Sequence, residues 1–227
     1  MLVINGIFRA AVVVCATAVL GGCGAGKPDP GPPISATTVR GALLQAADVG
    51  PTWAEPAEKP AAGLLVSFCG GDTTAPPAPT GATVVTSSIA DEGDQGAQSL
   101  TQIALVYPDT AAAAAGLKSL RAIADGCAPT VNVAAKTGDR EEPAFTESVQ
   151  TFPMDEGGWA GFVVERHKLY QAKAPATADN AVAVVAKRNV LLVDEYGVYR
   201  LNAASASPQF AADWKRLVGT VLKRIDS

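Results

Sequence analysis

Acid–base and metal chemistry near neutral pH recruits histidine more than any other side chain, and this sequence holds a single one, His167. It lies in Phe162-Val-Val-Glu-Arg-His-Lys-Leu169, an extended run. Strand alternation there places it with Glu165 on one face and Arg166 with Lys168 on the other. No Gly-x-Ser-x-Gly elbow exists to present a nucleophile, so His167 reads as a residue of an edge strand or a solvated face rather than a base. Zinc sites want several His or Cys ligands at set spacings, and a phosphate loop wants a glycine-rich run before Lys-Ser or Lys-Thr; neither is present. Carboxylates stand close together at Asp91/Glu92/Asp94, Glu141/Glu142, Asp155/Glu156 and Asp194/Glu195, where they could exchange protons or hold calcium. Neighbours on a strand point opposite ways, however, and each pair falls at an expected turn or strand end, so all are read as solvated. The residues therefore predict no catalytic group, no metal site and no cofactor. Trp53, close to Pro51, and Trp159, after Gly157-Gly158, fall outside the periodic apolar stripes and are the candidates to line a ligand cleft. Trp214 is read as helix core.

Cysteine usage and the N-terminus set the compartment. Arg9 precedes the apolar run Ala10 to Leu20 and then Leu20-Gly21-Gly22-Cys23, a signal-peptide layout. The run is about half of the roughly 20 residues a membrane-spanning helix needs, and an uncleaved anchor over residues 2 to 22 would place Arg9 inside the span. The quartet resembles the lipobox of bacterial prolipoproteins. That resemblance implies that residues 1 to 22 are removed, that Cys23 becomes the first residue, and that its thiol carries the lipid; two or three acyl chains hold a protein at a membrane stably. Cys15 is discarded with the signal peptide. From Cys23 to Thr37 the chain is rich in Gly and Pro and reads as a tether reaching roughly 40 Å, with the single charge of Lys27 too little to bind a membrane surface. Cys69 and Cys127 remain in an oxidising compartment, where a disulfide is the simplest outcome; free or metal-binding thiols are the alternative.

Residues 38 to 227 have to position these groups, and the composition allows one well-packed domain: 227 residues in all, 48% hydrophobic and 18% charged. Arg9 is the only charge in the signal region, so the exported part has one basic residue fewer than the chain's 18, against 22 acidic ones. A scattered, net acidic surface excludes nucleic acid as a partner. Val39, Leu43, Leu44 and Ala47 recur at helical spacing between Thr38 and Val49, before Gly50-Pro51. Gly63 to Cys69 reads as a strand. Ala82 to Ala90 and Ser99 to Tyr107 flank a polar connection and predict an antiparallel hairpin. Asp109 caps a helix to about Asp125 with Leu117, Leu120 and Ile123 on its apolar stripe and Gly126 as stop. Strands follow at Phe145 to Phe152, Gly158 to Tyr170, Ala181 to Arg188 and Val190 to Tyr199, the last two joined by a tight reversal at Lys187-Arg188-Asn189. Ser207 as cap and Pro208 as first residue open a closing helix with Phe210, Trp214, Leu217, Val221 and Ile225 on one stripe. Helices and strands do not alternate regularly, so the class is α+β: a mainly antiparallel sheet covered by helices, in a single domain with one disulfide.

Four segments carry a resemblance: Leu43-Leu44-Gln-Ala-Ala-Asp-Val-Gly-Pro-Thr-Trp53, the stretch around Cys69, Val106-Tyr107-Pro-Asp-Thr-Ala-Ala-Ala with its helix to Cys127, and Val184-Val-Ala-Lys-Arg-Asn-Val-Leu-Leu-Val193. Over residues 37 to 226 they look like the PknH-like extracellular sensor domains of actinobacteria, which also occur as free lipoproteins. The resemblance implies an antiparallel sheet with helices enclosing a cleft for a ligand outside the cell. Members of that family commonly hold more than one disulfide, whereas this chain can form one, and no functional residue carries over. The expected function is a non-enzymatic, sensor-like lipoprotein on the outer face of the cell membrane. Its expected partners are the membrane, through the lipid, and a small apolar ligand or an envelope protein. The alternatives are a protein- or wall-interaction module, marked by an exposed apolar patch, and an enzyme, marked by a buried, perturbed carboxylate in a cleft.

Overall fold

A computed structural model describes residues 31–57, 63–71, 73–93, 96–137 and 142–227. The signal peptide, Cys15, Cys23, Lys27, Asp94 and Glu141 lie outside these residues. Gly31 to Ser227 forms one unit. The stretch expected as tether is already part of it from Pro32: Ile34 is buried, and its backbone is held at both ends by the Asn189 side chain, N–H to Oδ1 at 2.6 Å and C=O from Nδ2 at 3.1 Å.

Helix α1 (Ala36–Ala42) begins where the Ser35 hydroxyl accepts from the Thr38 N–H at 3.0 Å. The continuous helix expected to Val49 breaks at Leu43, which is extended. The sheet takes the backbone there: Leu44 N–H donates to the Gln102 Oε1 at 2.8 Å, and the Ser87 hydroxyl donates to the Leu44 carbonyl at 2.8 Å. The helix restarts as α2 (Ala46–Val49) behind a capping box between Gln45 and Asp48.

Strands β1 (Thr83–Gly93) and β2 (Gly96–Val106) pair antiparallel out to Gly93 opposite Gly96, so Asp91 and Glu92, expected in a loose connection, are strand residues. Helix α3 (Thr110–Asp125) is capped by the Asp109 carboxylate accepting from Ala112 N–H at 2.8 Å and stops at Gly126, as expected. Its buried face is smaller than the sequence stripe suggested: Ala113, Gly116, Leu120 and Ala124 are buried, whereas Ile123 is 38% exposed. Gly116 explains the shift, because a Cβ there would stand 2.5 Å from the Tyr107 hydroxyl and 3.2 Å from Leu191. The helix packs on small residues to come close to the sheet.

A strand β3 (Thr130–Val133), which no periodicity announced, forms one edge. Then come β4 (Phe145–Glu156), β5 (Trp159–Tyr170), β6 (Ala176–Lys187) and β7 (Val190–Leu201), successive antiparallel hairpins. Arg188, at φ 53°, makes the tight reversal before β7. The stretch Gly63 to Cys69 does not join the sheet as expected; it makes one isolated bridge, Leu64 to Pro77, and packs Leu65, Val66 and Phe68 beside α3. Cys69 and Cys127 form the expected disulfide, closing a loop of 58 residues, which in the chain-entropy account stabilises the fold by about 4 kcal/mol.

The seven-stranded sheet has the order β1-β2-β7-β6-β5-β4-β3 and is antiparallel throughout. Alternation sends Val85, Leu100, Val163, Val185 and Leu192 to one face, under α1 and the closing helix α4 (Phe210–Asp226). Ile103, Phe162, Val184 and Val193 go to the other, under α3 and the Leu65–Phe68 stretch. The α4 stripe Phe210, Trp214, Leu217, Val221 and Ile225 is buried as the sequence requires, each large side chain contributing about 2 kcal/mol. The helix begins two residues later than expected. Ser207 is not its cap: the Ser207 N–H donates to the buried carboxylate of Asp179 at 3.0 Å and its carbonyl accepts from Phe210 N–H, so the sheet has claimed the residue.

Candidate functional site

The β2–β7 pairing sets Gln98 opposite Val198, with Asp91 of β1 opposite Gln98 on the other side, all on the α4 face. Tyr196 and Arg200 flank Val198 at the strand period on β7. The first turn of α4 closes this corner with Gln209 and Asp213, and the result is a cavity of about 430 Å3, within the range of small-molecule sites. The Tyr196 ring stacks on Phe210 at 5.8 Å, and its hydroxyl donates to the Gln98 Oε1 at 2.7 Å. Burial pushes the Tyr196 phenol up to about 12, the Asp213 carboxylate adding to the effect and Arg216 opposing it, so the hydroxyl stays a donor. A smaller groove of about 270 Å3 runs between the end of β4 and α4, lined by Phe152, Met154, Val163, Trp214 and Lys215 among others.

On the opposite face a row of charge crosses four strands. Arg166 of β5 lies between Glu147 of β4, at 3.7 Å, and Glu195 of β7, at 3.2 Å, and also donates to the Cys69 carbonyl at 3.2 Å. Asn180 donates to the same Glu195 oxygen at 2.8 Å. Burial raises the Glu195 carboxyl, with Arg166 and Asn180 opposing. The Gly71 N–H donates to Glu147 at 2.7 Å, so the row also ties down the disulfide loop. Arg166 bridges both carboxylates and the Cys69 carbonyl, which ties three strands and the disulfide loop together, although Arg166 Nε and Asn180 Oδ1 are buried without a partner among the described residues. Beyond it lies an aromatic row, Phe145, Tyr170 and Tyr199, with the Lys168 ammonium 3.9 Å from the Phe145 ring centroid.

The candidates read from the sequence fall as follows. Trp159 is fully buried and donates from Nε1 to Asp226 at 3.1 Å; Trp53 is half-buried beside Gly50. Neither lines either cavity, whereas Trp214, read as core alone, forms part of the smaller groove and donates to Glu165 at 3.0 Å. His167 sits on inner strand β5 rather than an edge, half-buried, with Nδ1 2.7 Å from Asp179. Asp155/Glu156 lie at a strand end as expected, but Asp194 and Glu195 do not: they occupy the middle of β7. Asp194 is 1% exposed under the α1–α4 layer, and burial pushes its carboxyl up to about 7, with the Gln102 amide at 3.0 Å opposing and Glu195 adding. It is a perturbed carboxylate, but it belongs to neither cavity. Among the described residues no group of three or more His, Cys, Asp or Glu side chains is placed to hold a metal.

The residues around the larger cavity were largely missed. Asp91 was seen and read as a solvated turn; Gln98, Tyr196 and Arg200 were not singled out. Their shared face follows from alternation, but their meeting depends on β2 lying beside β7, a pairing across some 90 residues that no local pattern announces.

No family model matches the sequence, and no curated protein matches it either. The fold has a solved counterpart: the crystal structure of the extracellular domain of PknH from Mycobacterium tuberculosis superimposes with a TM-score of 0.54 at 14% identity, covering 86% of this chain and 98% of that one. The fold that the sequence resemblance implied is thereby shown. Among the described residues, no helix is long and apolar enough to cross a membrane.

Proposed function

We propose that the chain is an exported, lipid-anchored domain of the cell envelope that binds a small ligand without transforming it, in the manner of a sensor. The observation that carries this is the cavity of about 430 Å3 between the β1–β2 hairpin and α4, built on a fold shared with a domain that is extracellular in PknH. Cys23 supplies the anchor and Gly24 onward the tether, which would keep the domain at the outer face of the membrane. The non-enzymatic reading is supported by where a strongly raised carboxylate sits, since Asp194 is sealed in the core rather than open to a substrate. The small apolar ligand expected from the sequence would suit the smaller groove, whereas the lining of the larger cavity is polar.

Native mass spectrometry of the protein purified from its own producer, before and after organic extraction, tests the reading. The expected spectrum shows an added mass that extraction removes. An empty domain would reject a bound ligand and leave the interaction-module reading, in which an envelope protein is the partner.

A further inference from the structure

The larger cavity carries hydrogen-bonding groups on opposing walls that the protein leaves unused. Asp91 is fixed by the Thr52 hydroxyl at 3.0 Å through one carboxylate oxygen, the other having no partner among the described residues. Gln98 spends its carbonyl oxygen on Tyr196 and leaves its amide N–H groups without a partner among the described residues. Across the cavity, among the described residues Asp213 has only a 3.5 Å contact with the largely exposed Arg216, and the Gln209 side chain makes no capping bond to α4 although it stands at the cap position. Arg200 also lines the cavity, its guanidinium tied to the Ser205 carbonyl through one terminal nitrogen.

Donors and acceptors thus alternate around a space with an apolar floor of Tyr196 and Val198. Two carboxylates against one guanidinium repel an anion, and a cation drawn to Asp91 or Asp213 would leave the Gln98 amide and the Arg200 guanidinium without an acceptor. A hydroxyl both donates and accepts, so neighbouring hydroxyls on a ring can serve a carboxylate and an amide together. The geometry points to a neutral polyhydroxyl ligand, a mono- or disaccharide unit, with Asp91 and Asp213 accepting from ring hydroxyls and Gln98 and Arg200 donating to ring oxygens. This assignment deepens the proposed function and rests on its claim that the cavity holds a ligand.

The purified full-length protein is titrated with glucose, mannose, N-acetylglucosamine, maltose and cellobiose, and separately with spermidine and citrate, while the backbone amide shifts of Gly96, Gln98, Ser207 and Asp213 are followed. At least one sugar is expected to saturate those shifts with Kd of about 1 mM or tighter. Asp213→Asn and Gln98→Ala should each raise that Kd about tenfold; thermal melting stays unchanged for Asp213→Asn and falls for Gln98→Ala, because the buried Tyr196 hydroxyl loses its acceptor. Sugar binding that survives both substitutions overturns the assignment, because the ligand then sits elsewhere. So does the absence of saturation by every sugar. In that case saturation by spermidine or citrate leaves the ligand-binding reading standing without the sugar class, whereas silence from all probes with an empty native mass spectrum removes both.

Discussion

Asp194 shows how far a residue's meaning depends on depth. In the sequence it stands beside Glu195 near a strand end and reads as one of a solvated pair. In the fold the two carboxyls leave opposite faces of β7: one joins the Arg166 row, the other enters the α1–α4 layer with one oxygen on the Gln102 amide and the second unpartnered. Burial raises the folded-state value from 3.8 to about 7. The folded protein then holds a proton that the unfolded chain gives up, so this residue's contribution to stability is complete below about pH 4 and is lost as pH rises toward 7. Asp194→Asn keeps the acceptor for Gln102 and removes the charge. Chemical denaturation at pH 5 and pH 8 should show the natural protein losing on the order of 3 kcal/mol over that interval relative to the Asn variant. Parallel pH profiles for the two proteins would mean that Asp194 ionises freely in the fold.

At the level of elements, local chemistry announced what local chemistry controls. Asp109 with Gly126 bounded α3, alternation placed β5 and β7, and the 3.6-residue stripe of α4 was buried as drawn. Elements failed where a distant group competed for their backbone: the Gln102 and Ser87 side chains interrupt the first helix at Leu44, and Asp179 takes the Ser207 N–H. Strand β3 was invisible because four residues carry too little period to read. The site was less legible than the fold, since its residues come from three strands and a helix brought together by register. Register also fixes close approaches. A Cβ on Gly161 would lie 1.9 Å from the Val184 carbonyl oxygen, an atom that the β5–β6 ladder holds in place. Gly161→Ala should therefore lower stability by about 3 kcal/mol or more, read as a shift in denaturation midpoint with little change in slope. A loss under about 0.5 kcal/mol would show that the ladder gives way easily.

For the whole molecule, the fold shared with the PknH extracellular domain at 14% identity shows how little sequence this architecture requires: alternation, caps and a few small residues suffice. Its attachment is tested separately. Cys23→Ser should move the protein from the membrane to the soluble fraction while the far-ultraviolet circular dichroism of the domain stays unchanged; tight retention by the membrane would count against a lipid on Cys23.

The strand order carries one more consequence, for time rather than stability. The β1–β2 hairpin is made early in the chain, yet its seat in the sheet is β7, with Gln102 lying opposite Asp194. Both cysteines precede that seat in the chain, so under the proposed export from the N-terminus the cross-link would close before the sheet is finished. The first hairpin then waits with one side unpaired until the last strand, β7, arrives. Contacts this distant place folding in the millisecond-to-second range, and throughout that wait the exposed edge of β2 is the part of the protein most in need of shelter from other chains.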